Sequence, residues 1–331
     1  MIVPIKSCGA EKLITARLTP TGIMHDREFM LVNTSTGQVL SQKRVPRMVL
    51  IKPSINDDEE GVTAKVMRVE AEGMTELVIP LEVTEEDQDV GIRMCATAAK
   101  PSLISQEADD WFTTFLGIPC HLHRHSQPSH FYSSTVTSHL GSSEAPVPVL
   151  FSNESPFTLI SQSSVDTVNT WIASDTQDGD EDCSMTKPIH SSCFRANFTL
   201  SSVPPNSNLH IPSVSSLEKP LSPFHEDTLS LLRIGMQTFQ VLARCRRCLM
   251  ICVDQDTGVR MKEPFGCLAR HRRNGRKRVE FGVHLRWRDD LFNRKDGEEP
   301  RISVGDGIDW TRADGEPNAN VMSTSFFGLR E

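Results

Sequence analysis

Phe239-Gln240-Val241-Leu242-Ala243-Arg244-Cys245-Arg246-Arg247-Cys248-Leu249-Met250-Ile251-Cys252-Val253-Asp254-Gln255-Asp256-Thr257-Gly258 carries a β-type run into a pair of thiols and out to a turn. The alternation over 238–243 predicts a strand, the apolar run 249–254 a second one, and 255–258 a turn. Cys245 and Cys248 stand three residues apart among Arg244, Arg246 and Arg247. Arginines beside a thiol lower its pKa and attract an anion. A poised thiolate attacks, carries sulfur or binds a soft metal. A thioredoxin-type disulfide wants its motif opening a helix, and here a β-type run follows. Structural zinc wants four ligands; Cys252 and Cys267 would have to complete the set, since no second Cys-x-x-Cys exists. Two buried structural cysteines remain the plain alternative on spacing alone.

Outward from this stretch, β signals dominate. Strands are predicted at 2–5, 28–32 and 38–40 (the last two joined by a turn at 33–37), at 48–52, 62–70 and 75–83, then at 231–235 and 279–283, with a weak one at 301–304. Acidic turns at 57–60 and 85–87 read as solvated loops. Residues 107–116 form a predicted helix, with Ala108, Trp111, Phe112 and Phe115 on one face and Gly117 as the stop; 163–173 is a second, through Val165, Val168, Trp171 and Ile172. The segments 127–148, 174–192 and 204–223 are rich in Ser, Pro, Asp or Asn and lack periodicity, as insertions do. Many short strands with few helices predict a mostly-β architecture built on barrels, divided at 1–100, 101–310 and a tail at 311–331.

The bulk properties narrow the function. The chain has 331 residues, 38% hydrophobic and 24% charged, with net charge −8 and an isoelectric point near 5.8. That balance argues against a general nucleic-acid binder. No apolar stretch approaches the ~20 residues a membrane helix needs. The opening Met1-Ile2-Val3-Pro4-Ile5-Lys6 has no export signal, so the nine cysteines read as reduced thiols in a cytoplasmic protein. The strand-like start is also what a piece of a longer polypeptide would show.

Other polar constellations stand beside plainer readings. Lys6-Ser7-Cys8-Gly9 follows a predicted strand, where a lysine, a hydroxyl and backbone N–H groups can hold a phosphate. Asp26-Arg27 is either a surface pair or an anion contact at a barrel rim. In Phe194-Arg195-Ala196-Asn197-Phe198, read as a strand, Arg195 and Asn197 share a face, as in the polar wall of a pocket. Ser155 precedes Pro156 at an element boundary. The basic run 270–278 reads as a solvated hairpin tip at Asn274-Gly275, and His121, His123, His125 and His130 as incidental, alternating on a strand end that runs into a loop, with no carboxylate or thiol partner expected for them.

Together these residues resemble the MOSC family, and within it the C-terminal half of eukaryotic molybdenum cofactor sulfurases. Pro4-Ile5-Lys6-Ser7-Cys8-Gly9-Ala10, Asp26-Arg27-Glu28-Phe29-Met30-Leu31-Val32, Leu40-Ser41-Gln42-Lys43 and Pro46-Arg47 are similar to the family's N-terminal β-barrel. Ser155-Pro156-Phe157, Phe194-Arg195-Ala196-Asn197 and the run from Phe239 to Gly258 are similar to the MOSC domain, 248–258 being the most specific. The family often has arginine where Cys193 stands, which removes one anion contact.

The resemblance implies a ligand, the molybdenum cofactor: an anionic pyranopterin phosphate whose dithiolene holds molybdenum. Lys6, Ser7, Arg27, Ser155, Arg195 and Asn197 match positions that hold the pterin and its phosphate. Cys248 matches the thiolate that binds molybdenum, with Cys245 a secondary thiol. The implied activity is sulfurtransferase-type: sulfur, relayed as a persulfide, converts the dioxo cofactor to the oxo-sulfido form for molybdenum hydroxylase apoenzymes such as xanthine dehydrogenase and aldehyde oxidase. The sulfurases' pyridoxal phosphate half has no counterpart here, so the sulfur donor is expected to be a separate or missing cysteine desulfurase domain. The rivals are a molybdenum oxidoreductase of the amidoxime-reducing kind and a non-enzymatic cofactor carrier.

Overall fold

The structure, a computed structural model, describes residues 1–56, 65–81, 92–94, 97–99, 101–125, 147–152, 154–177, 187–202, 221–291, 299–312 and 317–323. The first strands are β1 (Thr15–Thr19), β2 (Gly22–Ile23), β3 (Phe29–Asn33), β4 (Lys52–Asn56), β5 (Val66–Glu70) and β6 (Leu77–Pro80). They are followed by β7 (Ile92–Met94), β8 (Thr97–Ala99), β9 (Pro101–Leu103), helix α1 (Gln106–Leu116) and β10 (Cys120–His125). Next come β11 (Phe157–Ser161), α2 (Gln162–Gln177), β12 (Phe198–Leu200), β13 (Leu229–Ile234) and β14 (Gln237–Arg246). The chain continues through α3 (Phe265–His271), β15 (Glu280–Trp287), β16 (Arg301–Ser303), β17 (Gly307–Arg312) and β18 (Pro317–Ser323). The protein is therefore mostly β, with three α-helices among the described residues.

The large sheet has seven strands in the order β12-β11-β15-β14-β13-β17-β18 and curls into a half-barrel. All its pairs are antiparallel except β11 with β12. A parallel pair needs a long crossover, and α2 lies within it. The β14–β15 ladder shifts register between Val241 and Ala243 and again between Arg244 and Arg246. Bulges bend a strand and re-aim its side chains; these two lie where the strand delivers Cys245.

In the N-terminal part, β3-β10-β9 and β4-β5-β6 form two small sheets. Phe29, Leu31, Met67, Val69, Trp111, Phe112, Phe115 and Leu122 pack between them and α1. This core runs past residue 100, because α1 and β10 bury their apolar faces in it. Helix α1 ends at the predicted stop, Gly117, which takes the left-handed conformation (φ 67°), and it is capped at its start by the Ser105 hydroxyl, which accepts from Ala108 N. A second core lies on the half-barrel and takes Ile2, Ala16, Leu18 and Ile23 from the chain's start, while β16 pairs with β1. The two parts thus meet along a continuous apolar seam. No described helix is long and apolar enough to cross a membrane.

Several sequence expectations are corrected. Residues 2–5 make only isolated bridges, Ile2 with Glu11 and Ile5 with Phe29; Pro4 has no N–H to continue a ladder. The predicted strand at 48–52 is a 3-10 turn, Pro46–Leu50, opened by its proline, and β4 begins only at Lys52. The predicted strand at 249–254 is likewise a 3-10 turn, Leu249–Cys252, burying Ile251 and Cys252. Short apolar runs do not distinguish these states. The predicted strand through 194–198 is a 3-10 turn, Ser191–Phe194, ended by left-handed Arg195 (φ 54°), with β12 starting at Phe198. Helix α2 extends to Gln177 into a segment read as insertion, and β18 adds an edge strand within the segment read as a tail. The basic run is partly helical, since Arg270 and His271 end α3; its turn is held by Asn274 Oδ1, which accepts from Arg276 N and Arg278 N at 2.9 and 3.0 Å. His121 does have a carboxylate, Asp109, with 2.6 Å between Nδ1 and Oδ2. Residues 57–64, 82–91, 126–146, 178–186 and 203–220, with their predicted acidic turns, insertions and His130, lie outside the described residues.

Glu11 supplies a pH test of the seam. Its Oε2 accepts from Ile55 N at 3.0 Å. Burial raises its pKa from 4.5 to about 7, against the opposing pull of the Ile55 bond. The folded chain holds this proton more tightly than the unfolded chain, so the group favours folding below 4.5 and that gain is lost as pH rises through about 7. Relative to Glu11→Gln, the native chain is expected to lose stability across that window. Urea midpoints at its two ends measure this, and parallel pH profiles would refute it.

Candidate functional site

At the seam, loops from both parts converge on one cavity. Lys6, Ser7, Arg27, Ser155, Arg195, Asn197, Cys245 and Cys248, the residues singled out in the sequence, all line a single space of about 400 Å³. Phe151, Ser152, Glu154, Arg246, Arg247, Met250, Ile251 and His284 complete much of its wall. Ser7 (φ 71°), Arg27 (φ 54°) and Arg195 (φ 54°) each hold a left-handed backbone. For non-glycine residues this costs roughly 1–2 kcal/mol apiece, and such strain concentrates where side chains must be aimed.

The cationic wall is held from behind. The Asp26 carboxylate pairs with Arg27 through Oδ2, and accepts from Val3 N at 2.7 Å and Asn197 Nδ2 at 2.8 Å. Arg27 Nη2 donates to Arg195 O at 3.0 Å. Arg195 donates through Nη2 to Cys8 O at 2.7 Å and through Nη1 to Gln255 Oε1 at 3.0 Å. Burial, then the charge of Arg27, lowers the Arg195 pKa to about 10. Two like charges in a recess gain from an anion between them.

Other predicted residues are more committed to the chain. Asn197 Oδ1 accepts from Thr158 N at 3.0 Å while its Nδ2 serves Asp26, so the amide braces the wall. The Ser155 hydroxyl donates to Phe157 O and lies 2.7 Å from His284 Nδ1. Lys6 Nζ donates to Phe151 O at 2.7 Å. Three cavity-lining atoms, Ser7 Oγ, Ser152 Oγ and Arg247 Nη2, are buried with no partner. Each such atom costs about 1–3 kcal/mol unless something satisfies it. A hydrogen-bonding anionic ligand fits this donor set.

The thiols differ. Cys248 is exposed, whereas Cys245 is buried at 5% exposure. Burial opposes ionisation of Cys245, but the charge of Arg247, then the charge and hydrogen bond of His284, outweigh it and leave the thiol below its ordinary pKa. His284 in turn places Nε2 2.9 Å from Glu154 Oε2. Since the Ser155 proton is directed at Phe157 O, the ring donates at both nitrogens, as an imidazolium does. Burial works against that charge, but Cys245 and Glu154 prevail and raise the pKa of His284 to about 9. Arg246 is paired with Glu154 at 2.8 Å, and Arg244 turns outward toward Asp227 and Glu280. Of the three arginines expected to act on the thiols, Arg247 is the one that acts on Cys245.

Glu154 and His284 were missed by sequence reasoning. Glu154 directly precedes the Ser155 that was chosen, but His284 is a lone histidine in an alternating strand, which carries no signal of its own. The four cysteines of the zinc alternative do not come together among the described residues. Among the described residues, the group of three or more His, Cys, Asp or Glu whose ligand atoms lie within 4.8 Å of one another is Asp175, Cys267 and His271, none of which lines the cavity.

A half-barrel joined along one seam to a smaller β unit, with a cationic cleft and paired cysteines between them, defines a two-part β protein with a cation-lined cleft at its seam. The profile described as "MOSC N-terminal beta barrel domain" matches residues 1–119, and that described as "MOSC domain" matches 146–309. The chain belongs to the MOSC family. It is 32% identical to a molybdenum cofactor sulfurase of Botryotinia fuckeliana over 93% of its own length and 40% of that protein's. It is 33% identical to one of Aspergillus niger, covering 86% of this chain and 37% of the relative. The chain thus spans about two fifths of the length of these curated relatives.

Proposed function

We propose that this chain takes the molybdenum cofactor as its substrate and takes part in its sulfuration. The observation that carries the reading is the cavity itself, which joins Arg27 and Arg195, an unpartnered Ser7 hydroxyl and both thiols within about 400 Å³. In this reading Lys6, Ser7, Arg27 and Arg195 hold the pterin and its phosphate, and Ser155 and Asn197 keep the wall in place. Cys248, exposed at the cavity rim, faces the molybdenum; soft thiolate sulfur suits that metal. Sulfur comes as a persulfide from a cysteine desulfurase that carries its own pyridoxal phosphate. It ends as the sulfido ligand of a cofactor passed to molybdenum hydroxylase apoenzymes in the cytoplasm.

The test is direct. Purified chain is assayed for bound molybdenum and pterin, then for sulfuration with and without added desulfurase, and for reduction of N-hydroxylated substrates. Cofactor binding with desulfurase-dependent sulfuration supports the reading. Enzyme-like reduction replaces it with the oxidoreductase, and binding with neither activity replaces it with the carrier.

Ser7→Ala separates ligand binding from folding. The hydroxyl is buried without a partner, so its removal is expected to leave the empty chain as stable or up to about 1 kcal/mol more so. Pterin affinity is expected to fall roughly tenfold, the worth of one hydrogen bond. Urea unfolding and ligand titration read the two effects; unchanged affinity would remove Ser7 from the site.

A further inference from the structure

We propose that Cys245, backed by His284 and Glu154, is the residue that accepts sulfur in this cavity, ahead of Cys248. The inference rests on the sulfuration reading above and divides its labour between the two thiols. The geometry has three parts. Cys245 opens onto the same cavity as Cys248, so sulfur placed on one lies in the space served by the other. His284 is fixed at both nitrogens, by Ser155 Oγ at 2.7 Å and Glu154 Oε2 at 2.9 Å, and it pairs across the β14–β15 ladder with Ala243, two positions before Cys245, on the same cavity. Glu154, Arg246 and His284 also line a second recess of about 370 Å³ on their other side, bounded by Arg244, Arg276 and Arg278, which gives the imidazole a route for proton exchange. Among the described residues, Cys248 has no such backing.

A nucleophilic thiol, a base beside it and a third group that orients the base form a recurrent catalytic arrangement. Here the base carries a proton on each nitrogen, and its charge with that of Arg247 favours the thiolate. The Cys245 thiolate attacks the outer sulfur of an incoming persulfide, R–S–S–H. The new Sγ–S bond uses the Cys245 electron pair, the donor's S–S bond breaks, and its electron pair leaves on R–S⁻. The transferred sulfur keeps its proton, and there is no net oxidation or reduction. His284 remains protonated throughout, held by Ser155 and Glu154, and its positive charge faces the new persulfide. Arg247 adds a fixed positive charge beside the attacking thiolate. The charged groups facing Cys245 are Arg247 from the turn after its own strand, His284 from the adjacent strand and Glu154 from the segment leading into β11.

The chain is incubated with a cysteine desulfurase and L-cysteine, thiols are blocked, and the added sulfur atom is located by mass spectrometry with fragmentation. Sulfur is expected on Cys245 in the native chain and in Cys248→Ser, with at least roughly tenfold less loading in Cys245→Ser. The Cys248→Ser arm leaves Cys245 and its partners intact, so the test survives a Cys245 variant that does not fold. His284→Gln is expected to move the pH profile of Cys245 alkylation upward and slow alkylation near neutrality roughly tenfold, one pKa unit's worth; Glu154→Gln moves it the same way by less. A purely structural histidine would leave that profile in place. Sulfur found on Cys248 with full loading in Cys245→Ser would overturn the proposal and leave the sulfuration reading standing. A chain that binds pterin but gains sulfur on no cysteine would overturn both.

Discussion

Cys248→Ser is expected to keep the fold and pterin binding of this chain while losing sulfuration by at least roughly a hundredfold. Even the outer partners of a metal site are worth ten- to a hundredfold, and here the proposed ligand atom itself is changed. A serine hydroxyl is a hard, neutral donor at physiological pH, whereas a thiolate is soft and anionic. Stability is expected to move by no more than about 0.5 kcal/mol, because Cys248 is exposed and exposed substitutions are usually that mild. Urea unfolding, pterin titration and analysis of molybdenum-bound sulfide give the three readouts. Sulfuration persisting in this variant would end the assignment of Cys248. If the same variant still loads sulfur on Cys245, acceptance and delivery belong to different thiols.

Gly282→Ala is expected to cost about 2–5 kcal/mol, the sum of left-handed strain of ~1–2 kcal/mol and overpacking of ~1–3 kcal/mol. Gly282 sits within β15 at φ 71°. A Cβ there would lie 2.5 Å from Leu159 O, 2.6 Å from Ile160 Cγ2 and 3.2 Å from Arg247 Nη2. The first two contacts are with the neighbouring strand β11 and cannot both be relieved without separating β11 from β15. The third pushes on the arginine that faces Cys245, so loss of stability is expected to be accompanied by slower Cys245 alkylation. Gly275→Ala is the control, since a Cβ there meets nothing within 4 Å. A Gly282→Ala midpoint matching the control would mean that the strand relaxes freely at this point. Domains of this kind hold only about 5–15 kcal/mol in all, so the predicted loss is large.

Local chemistry was legible wherever a few neighbouring residues decide it. The turns at 33–37 and 254–258 share one mechanism: Asn33 Oδ1 accepts from Ser35 N and Thr36 N, Asp254 Oδ1 from Asp256 N and Thr257 N, and Gly37 and Gly258 close them with positive φ. Helix α1 announced itself by its apolar stripe and its final glycine. The short apolar runs at 48–52 and 249–254 did not, because a four- or five-residue run buries its side chains equally well as a strand or a 3-10 turn. At 194–198 a strand alternation placed Arg195 and Asn197 on one face. The structure brings both to the cavity by another route, a left-handed turn at Arg195 followed by a short strand.

By itself, then, the sequence determined the mostly-β class, the helices and turns with local signatures, and the cationic and thiol residue types that line the cavity, since these depend on spacing within a few positions. Only the tertiary structure decided which of those residues share a cavity and which are spent on bracing it. It alone set Cys245 apart from Cys248, because the partners that distinguish them, His284 and Glu154, stand far away in the chain and reach the thiol through the β14–β15 ladder and the loop before β11. Burial and long-range charge control a thiol's ionisation, and neither is encoded in the residues adjacent to it.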